Sequence, residues 1–92
     1  MLLKLPSEVL LEIAHRAREK RKVRKLSQEE LAQRSGVSFG SVKRFETTGK
    51  ISMESLLKLA VVLDSLNDFD LLFKPDTLPK SLDEIIKSGK GR

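Results

Sequence analysis

The chain contains no cysteine, no tryptophan and no tryptophan-like substitute for stacking beyond four phenylalanines, and it has one histidine in 92 residues. Without cysteine there is no disulfide, no thiolate metal site and no thiol nucleophile. With Tyr and Trp absent, little is left to stack on unpaired bases, which argues against single-strand and RNA readers built on aromatic platforms. Long apolar runs are missing too: none approaches the roughly 20 residues of a bilayer-spanning helix. Met1-Leu2-Leu3-Lys4-Leu5 is too short for a secretory apolar segment and lacks a small-residue cleavage site. His15 stands alone inside a helical stretch, so no convergent set of titratable groups is assembled for catalysis. Nor is there a phosphate-cradling glycine loop, a dinucleotide-binding glycine pattern or a metal-ligand cluster. The expectation is one small cytoplasmic domain, not an enzyme, with no cofactor and no membrane partner.

What the chain does have is positive charge in one place. Between Arg16 and Lys25 it carries Arg16, Arg18, Lys20, Arg21, Lys22, Arg24 and Lys25 against a single acid, Glu19. The whole chain is only +5, so outside this block it is slightly acidic. Such a block is an electrostatic footprint for an anionic polymer, nucleic acid foremost, although cations at a helix C-terminus also complement its dipole.

Periodicity and cap residues divide the sequence into short helices. Val9, Leu10, Ile13, Ala14 and Ala17 recur at helical spacing after Pro6 and Ser7, which predicts a first helix over about Glu8 to Lys22. Ser27-Gln28-Glu29-Glu30 is a capping box that starts a second helix, Gln28 to about Arg34, with Leu31 and Ala32 inward. Gly36 suits the left-handed end of that helix. Ser38 caps a third helix that turns Val42 and Phe45 inward, and Thr48-Gly49-Lys50 stops it. Ser52 caps a fourth, containing Met53, Leu56, Leu57, Ala60 and Leu63. Asp64 to Asp68 reads as a turn, and Phe69, Leu72 and Phe73 as a short fifth helix ended by Pro75. Asp70-Leu71-Leu72-Phe73, and more weakly Leu2 to Leu5, are alternative strand candidates at a dimer edge. The expected fold is all-α with five helices, a domain over 1–75 and a tail over 76–92. The tail holds a second capping box, Ser81-Leu82-Asp83-Glu84, and an apolar stripe of Leu82, Ile85 and Ile86.

Two short helices joined by a tight glycine-containing turn are the layout of a helix-turn-helix, here over residues 27–46 with a recognition helix at 38–47. The run from Leu26 through Ser38, then Val42, Phe45-Glu46-Thr47-Thr48-Gly49 and Ile51 to Ala60, closely resembles the lambda-repressor/Cro-like, or Xre-type, family. The resemblance extends over roughly residues 8–73. It implies a lambda-repressor-like domain that binds double-stranded DNA as a homodimer on a near-palindromic operator, on the nucleoid when bound. It also implies roles for individual residues. Gln28, Ser38 and Ser41 fall at positions that meet phosphates, and Phe39, Gly40, Lys43 and Arg44 at positions facing base edges or the groove wall. Arg21 and Glu46 stand where the family carries an ion pair. Lys22, Arg24 and Lys25 are then phosphate contacts beside the motif.

Phe39 and Gly40 depart from common members, which often have Gln or Asn there. Phe39 lies close in helical angle to Val42, so it either reaches the groove or folds under as core. Residues 41–52 and Leu66-Asn67-Asp68-Phe69-Asp70-Leu71-Leu72-Phe73 look like a narrower group, the HipB-like antitoxins. That resemblance implies repression of the chain's own operon and neutralisation of a HipA-type kinase toxin, with Leu82, Ile85 and Ile86 or the N-terminal arm as partner-binding candidates. A stand-alone repressor of the same fold is the alternative.

Overall fold

The computed structural model describes residues 4–76. Four α-helices follow one another, α1 (Pro6–Val23), α2 (Gln28–Ser35), α3 (Phe39–Thr48) and α4 (Met53–Val62), and a 3₁₀ helix (Leu66–Leu71) closes the series. No strand occurs among the described residues.

Each helix starts and stops for a local reason. Pro6 occupies the first position of α1, where its missing N–H has no intrahelical partner to lose. The Glu8 carboxylate accepts from the Leu5 N–H at 2.8 Å. At α2, Ser27 Oγ accepts from the Glu30 N–H at 3.0 Å while Glu30 accepts from the Ser27 N–H at 2.8 Å, a reciprocal cap that satisfies two orphan donors. Ser38 and Ser52 cap α3 and α4 in the simpler way, each accepting from the N–H three residues on, at 3.1 Å. Gly36 (φ 80°) and Gly49 (φ 81°) end α2 and α3 in the left-handed region.

The core is one cluster of Ala14, Leu31, Ala32, Val37, Val42, Phe45, Leu59 and Leu63, flanked by Ile13, Ala17, Ile51, Leu56 and Val62. Helix α1 packs on α3, and α2 packs on both α3 and α4. Phe45, Leu31, Leu59 and Val42 are the most completely enclosed side chains, each contributing roughly 1.5–3 kcal/mol by its removal from water. Val37, buried in the middle of the α2–α3 turn, pins that turn to the core.

Two expectations are corrected. First, Val9 and Leu10 are not core: they remain 36% and 41% exposed, and Leu5 and Leu11 still more so. The α3–α4 turn abuts α1 at Leu10, so the opening turns of α1 lie at the margin of the packed body. Second, the segment after α4 is neither a turn over Asp64–Asp68 followed by a helix at 69–73 nor a strand. Asp64 takes a left-handed conformation (φ 56°) and the 3₁₀ helix begins at Leu66. Leu66, Phe69 and Leu72 recur every third residue, the repeat of a 3₁₀ helix, whereas the fourth position after Leu66 is Asp70. Phe73 lies beyond the helix, fully exposed. Of the other strand candidate, Lys4 and Leu5 are not strand, and Leu2 and Leu3 lie outside the described residues, as do Leu82, Ile85 and Ile86.

Gly49 is the tightest point of the architecture. A Cβ there would stand 2.8 Å from both the carbonyl carbon and oxygen of Leu10, in addition to the cost of its positive φ. Gly49→Ala is expected to destabilise the domain by more than about 2 kcal/mol in chemical denaturation, whereas Gly36→Ala, with open space around it, should cost about 1 kcal/mol for the backbone conformation alone.

Candidate nucleic-acid interface

Helix α3 has two faces of different chemistry. Val42 and Phe45 are buried, while Phe39, Gly40, Lys43 and Arg44 are exposed. This decides between the two placements of Phe39. It stays 40% exposed while Val42, three residues on, is at 0%, so Phe39 is not core. The Lys43 ammonium sits 5.2 Å from the centroid of the Phe39 ring, within the range of a cation–π contact. Nothing in the chain lies within 4 Å of a Cβ built on Gly40. The hydroxyls of Thr47 and Thr48 donate to the carbonyls of Lys43 and Arg44, at 2.9 and 2.7 Å, and so are turned back onto the helix. Ser38 and Ser41 join hydroxyl to hydroxyl at 2.8 Å at its start.

What holds α3 in place is a network through Glu46. Arg21, the buried charged residue of the described chain, donates from Nε to Glu46 Oε2 at 2.7 Å and from Nη2 to Oε1 at 3.0 Å. Its Nη1 donates to the Leu26 carbonyl at 2.7 Å. Gln28 Nε2 donates to Glu46 Oε1 at 2.8 Å. One carboxylate thus joins the end of α1, the α1–α2 turn, the start of α2 and the latter half of α3. Burial pushes the Glu46 carboxyl up, but the Arg21 and Gln28 hydrogen bonds, followed by the fields of Arg21 and Arg18, outweigh it and hold the group below its ordinary value of 4.5.

The third arm of this network was not expected. The resemblance gives Gln28 to a phosphate, and the structure gives its amide nitrogen to Glu46. A primary amide has two N–H donors, so the bond to Glu46 fixes the orientation of Gln28 and leaves the second donor available. The signal for this arm is a separation of 18 residues with no repeat in it, which only the fold converts into contact.

The basic block divides in two. Lys20 donates to Ser65 Oγ at 2.6 Å and Arg24 lies 3.8 Å from Asp64, so both turn toward the end of α4. Lys22 and Lys25 are exposed. Arg18, read from the sequence only as one cation of the block, is close enough to Glu46 to act on its ionisation. It sits four residues before Lys22 and three before Arg21, a helical spacing that places it on their flank.

A second exposed surface is apolar. Met53, Leu57, Val61 and Leu66 line a shallow groove along α4 and the 3₁₀ helix, rimmed by Glu54 and Lys58, which pair with each other at 3.8 Å. Among the described residues no group of three His, Cys, Asp or Glu gathers as a metal site would require, and no helix is long and apolar enough to cross a membrane.

In comparison with known proteins, the profile of the family described as helix-turn-helix matches residues 18–69, more than half of the chain and the stretch from the second half of α1 into the 3₁₀ helix. No curated protein matches the chain.

The lowered Glu46 pKa carries a sign. Its folded value lies below its unfolded one, so the stabilisation is complete above the unfolded value and disappears as pH falls through the folded value, below 4.5. Glu12 and Glu30 are also held low, by Lys4 and by Ser27 respectively. The difference between wild type and Glu46→Gln isolates Glu46: denaturation midpoints measured from pH 7 to pH 3 should converge as the pH falls, with the variant less stable at neutral pH.

Proposed function

The chain belongs to the helix-turn-helix family of DNA-binding transcription regulators, and on that premise we propose that it is a homodimeric repressor that reads a near-palindromic duplex through α3. The observation that carries this reading is the contrast between the two faces of α3: one face is locked by the core and by the Arg21–Glu46–Gln28 network, and the other offers Phe39, Lys43 and Arg44. A base-reading helix needs both, because side chains discriminate between bases only if the helix carrying them is held in register. Lys43 and Arg44 suit guanine O6 and N7. The second Gln28 donor, the Ser38 and Ser41 hydroxyls, Lys22, Lys25 and Arg18 serve phosphates, and Arg24 joins them by releasing its long contact to Asp64. Such binding weakens steeply with salt.

A single recognition helix buries too little to give typical specific affinity, which is the argument for two copies. The apolar groove of Met53, Leu57, Val61 and Leu66 is the surface best suited to join them. Its rim carries one acid and one base, Glu54 and Lys58, so a two-fold axis passing between them sets each opposite its complement.

Within this function we assign the narrower role of an antitoxin that represses its own operon and holds a kinase toxin. The sequence resemblance of residues 41–52 and 66–73 supports it, together with exposed apolar surface at Leu5 and Leu11, outside both α3 and the α4 groove. Recovery of the tagged protein from its native cells tests it: co-purification of a kinase-like partner together with the protein's own promoter is the expected result, and recovery of DNA alone leaves a stand-alone repressor.

Val61 is 61% exposed in the single chain, so a charge there leaves the fold intact. Val61→Glu is expected to shift sedimentation toward a monomer and to weaken binding to a two-half-site duplex at least tenfold, with an unchanged helical spectrum.

A further inference from the structure

We propose that Phe39 and Lys43 act as one unit that reads a pyrimidine C5-methyl group beside a guanine in each half-site. This rests on the reading of α3 as the base-reading helix and specifies what that helix reads.

The reasoning is by elimination on the exposed face of α3. The helix contains no Asn or Gln, so it cannot make the paired hydrogen bonds that select adenine. Its one carboxylate, Glu46, which would otherwise accept from cytosine N4, is committed to Arg21 and Gln28. The Thr47 and Thr48 hydroxyls are committed to backbone carbonyls. With the paired Ser38 and Ser41 hydroxyls at the start of the helix assigned to phosphates, what remains are the cations of Lys43 and Arg44, which select the acceptors of guanine, and the ring of Phe39, which has no hydrogen-bonding atom and can recognise only an apolar feature. The major groove offers one such feature, the C5-methyl of thymine or of 5-methylcytosine.

Three observations make the ring available for that contact. Phe39 is 40% exposed with the core closed behind it by Val42 and Phe45. Lys43 lies against its ring, so the apolar and cationic ends are one helical turn apart and in contact. Two groups in contact address neighbouring base pairs, which stack about 3.4 Å apart. Gly40, between them in sequence, presents no side chain and meets nothing in the chain within 4 Å. A glycine near the start of a helix, with no positive φ and no crowding to require it, gives up helix propensity for nothing inside the molecule. Its use lies in letting the α3 backbone approach the base edges closely enough for Phe39 to reach them.

The test uses the full chain and duplex DNA selected by it from a random pool. Each thymine of the selected duplex is replaced in turn by uracil, which removes the methyl and keeps every hydrogen bond. One position per half-site, next to a guanine, is expected to lose about fourfold in affinity, the worth of one methyl kept from water. At that position a cytosine·guanine pair is expected to bind more weakly than its 5-methylcytosine counterpart, which separates the methyl from the rest of thymine. In Phe39→Ala, whose denaturation midpoint should be little changed, both differences should vanish. Enrichment of a sequence with no uracil-sensitive position, or the same sensitivity in Phe39→Ala, overturns the proposal and leaves DNA binding standing. No enrichment of any sequence overturns the DNA reading and this proposal with it.

Discussion

The buried carboxylate of Glu46 is the constraint on which the arrangement of this small domain depends. A charge taken out of water is costly unless its lone pairs find donors, and Glu46 finds its donors on two other elements: Arg21 from α1, which also holds the Leu26 carbonyl, and Gln28 from the start of α2. The pair adds little net stability over an apolar substitute of the same shape, but removal of either partner leaves a buried charge unmatched. Its effect is therefore geometric. Hydrophobic burial by Ala14, Leu31, Val42 and Phe45 brings α1, α2 and α3 together without preferring one axial position sharply over the next. The charged network requires particular atoms to meet, and so selects the register in which α3 faces outward.

Much of this was legible in the sequence because it is local. Ser27, Ser38 and Ser52 are capping residues whose partners lie three positions away, and Gly36 and Gly49 end helices for a reason contained in their own φ. The inward positions of Leu31, Ala32, Val42 and Phe45 follow from helical spacing, and the family resemblance named Arg21 and Glu46 as partners. What was not legible depends on distant parts of the chain. Val9 and Leu10 have the spacing of a core face, yet whether a face is covered depends on where the other helices end. The helical angle of Phe39 is compatible with core or solvent, and only the position of the closed core behind it decides. The same limit applies to the basic block, which is continuous in sequence but is divided in space because Lys20 and Arg24 lie near Ser65 and Asp64.

The surface that results is unusually segregated for so few residues. Cations and one exposed aromatic ring gather about α3 and the end of α1, and an apolar groove with a self-neutral rim runs along α4. The first surface suits an anionic polymer whose attraction is long-ranged and salt-sensitive, the second a contact that is short-ranged and insensitive to salt. On the proposed function, placing them on different helices lets self-assembly and DNA recognition respond to different solution conditions.

The contact between Gly49 and the Leu10 backbone has a consequence for how such a domain diversifies. It is main chain against main chain, at the end of α3, and takes no part of its shape from the side chains at positions 39, 40, 43 and 44. The caps and the Glu46 network are likewise built from residues other than these four. On the proposed function the frame and the lettering are therefore separable: new combinations at the four outward positions alter which duplex is preferred while the foundation beneath them stays the same, so specificity is free to drift faster than fold.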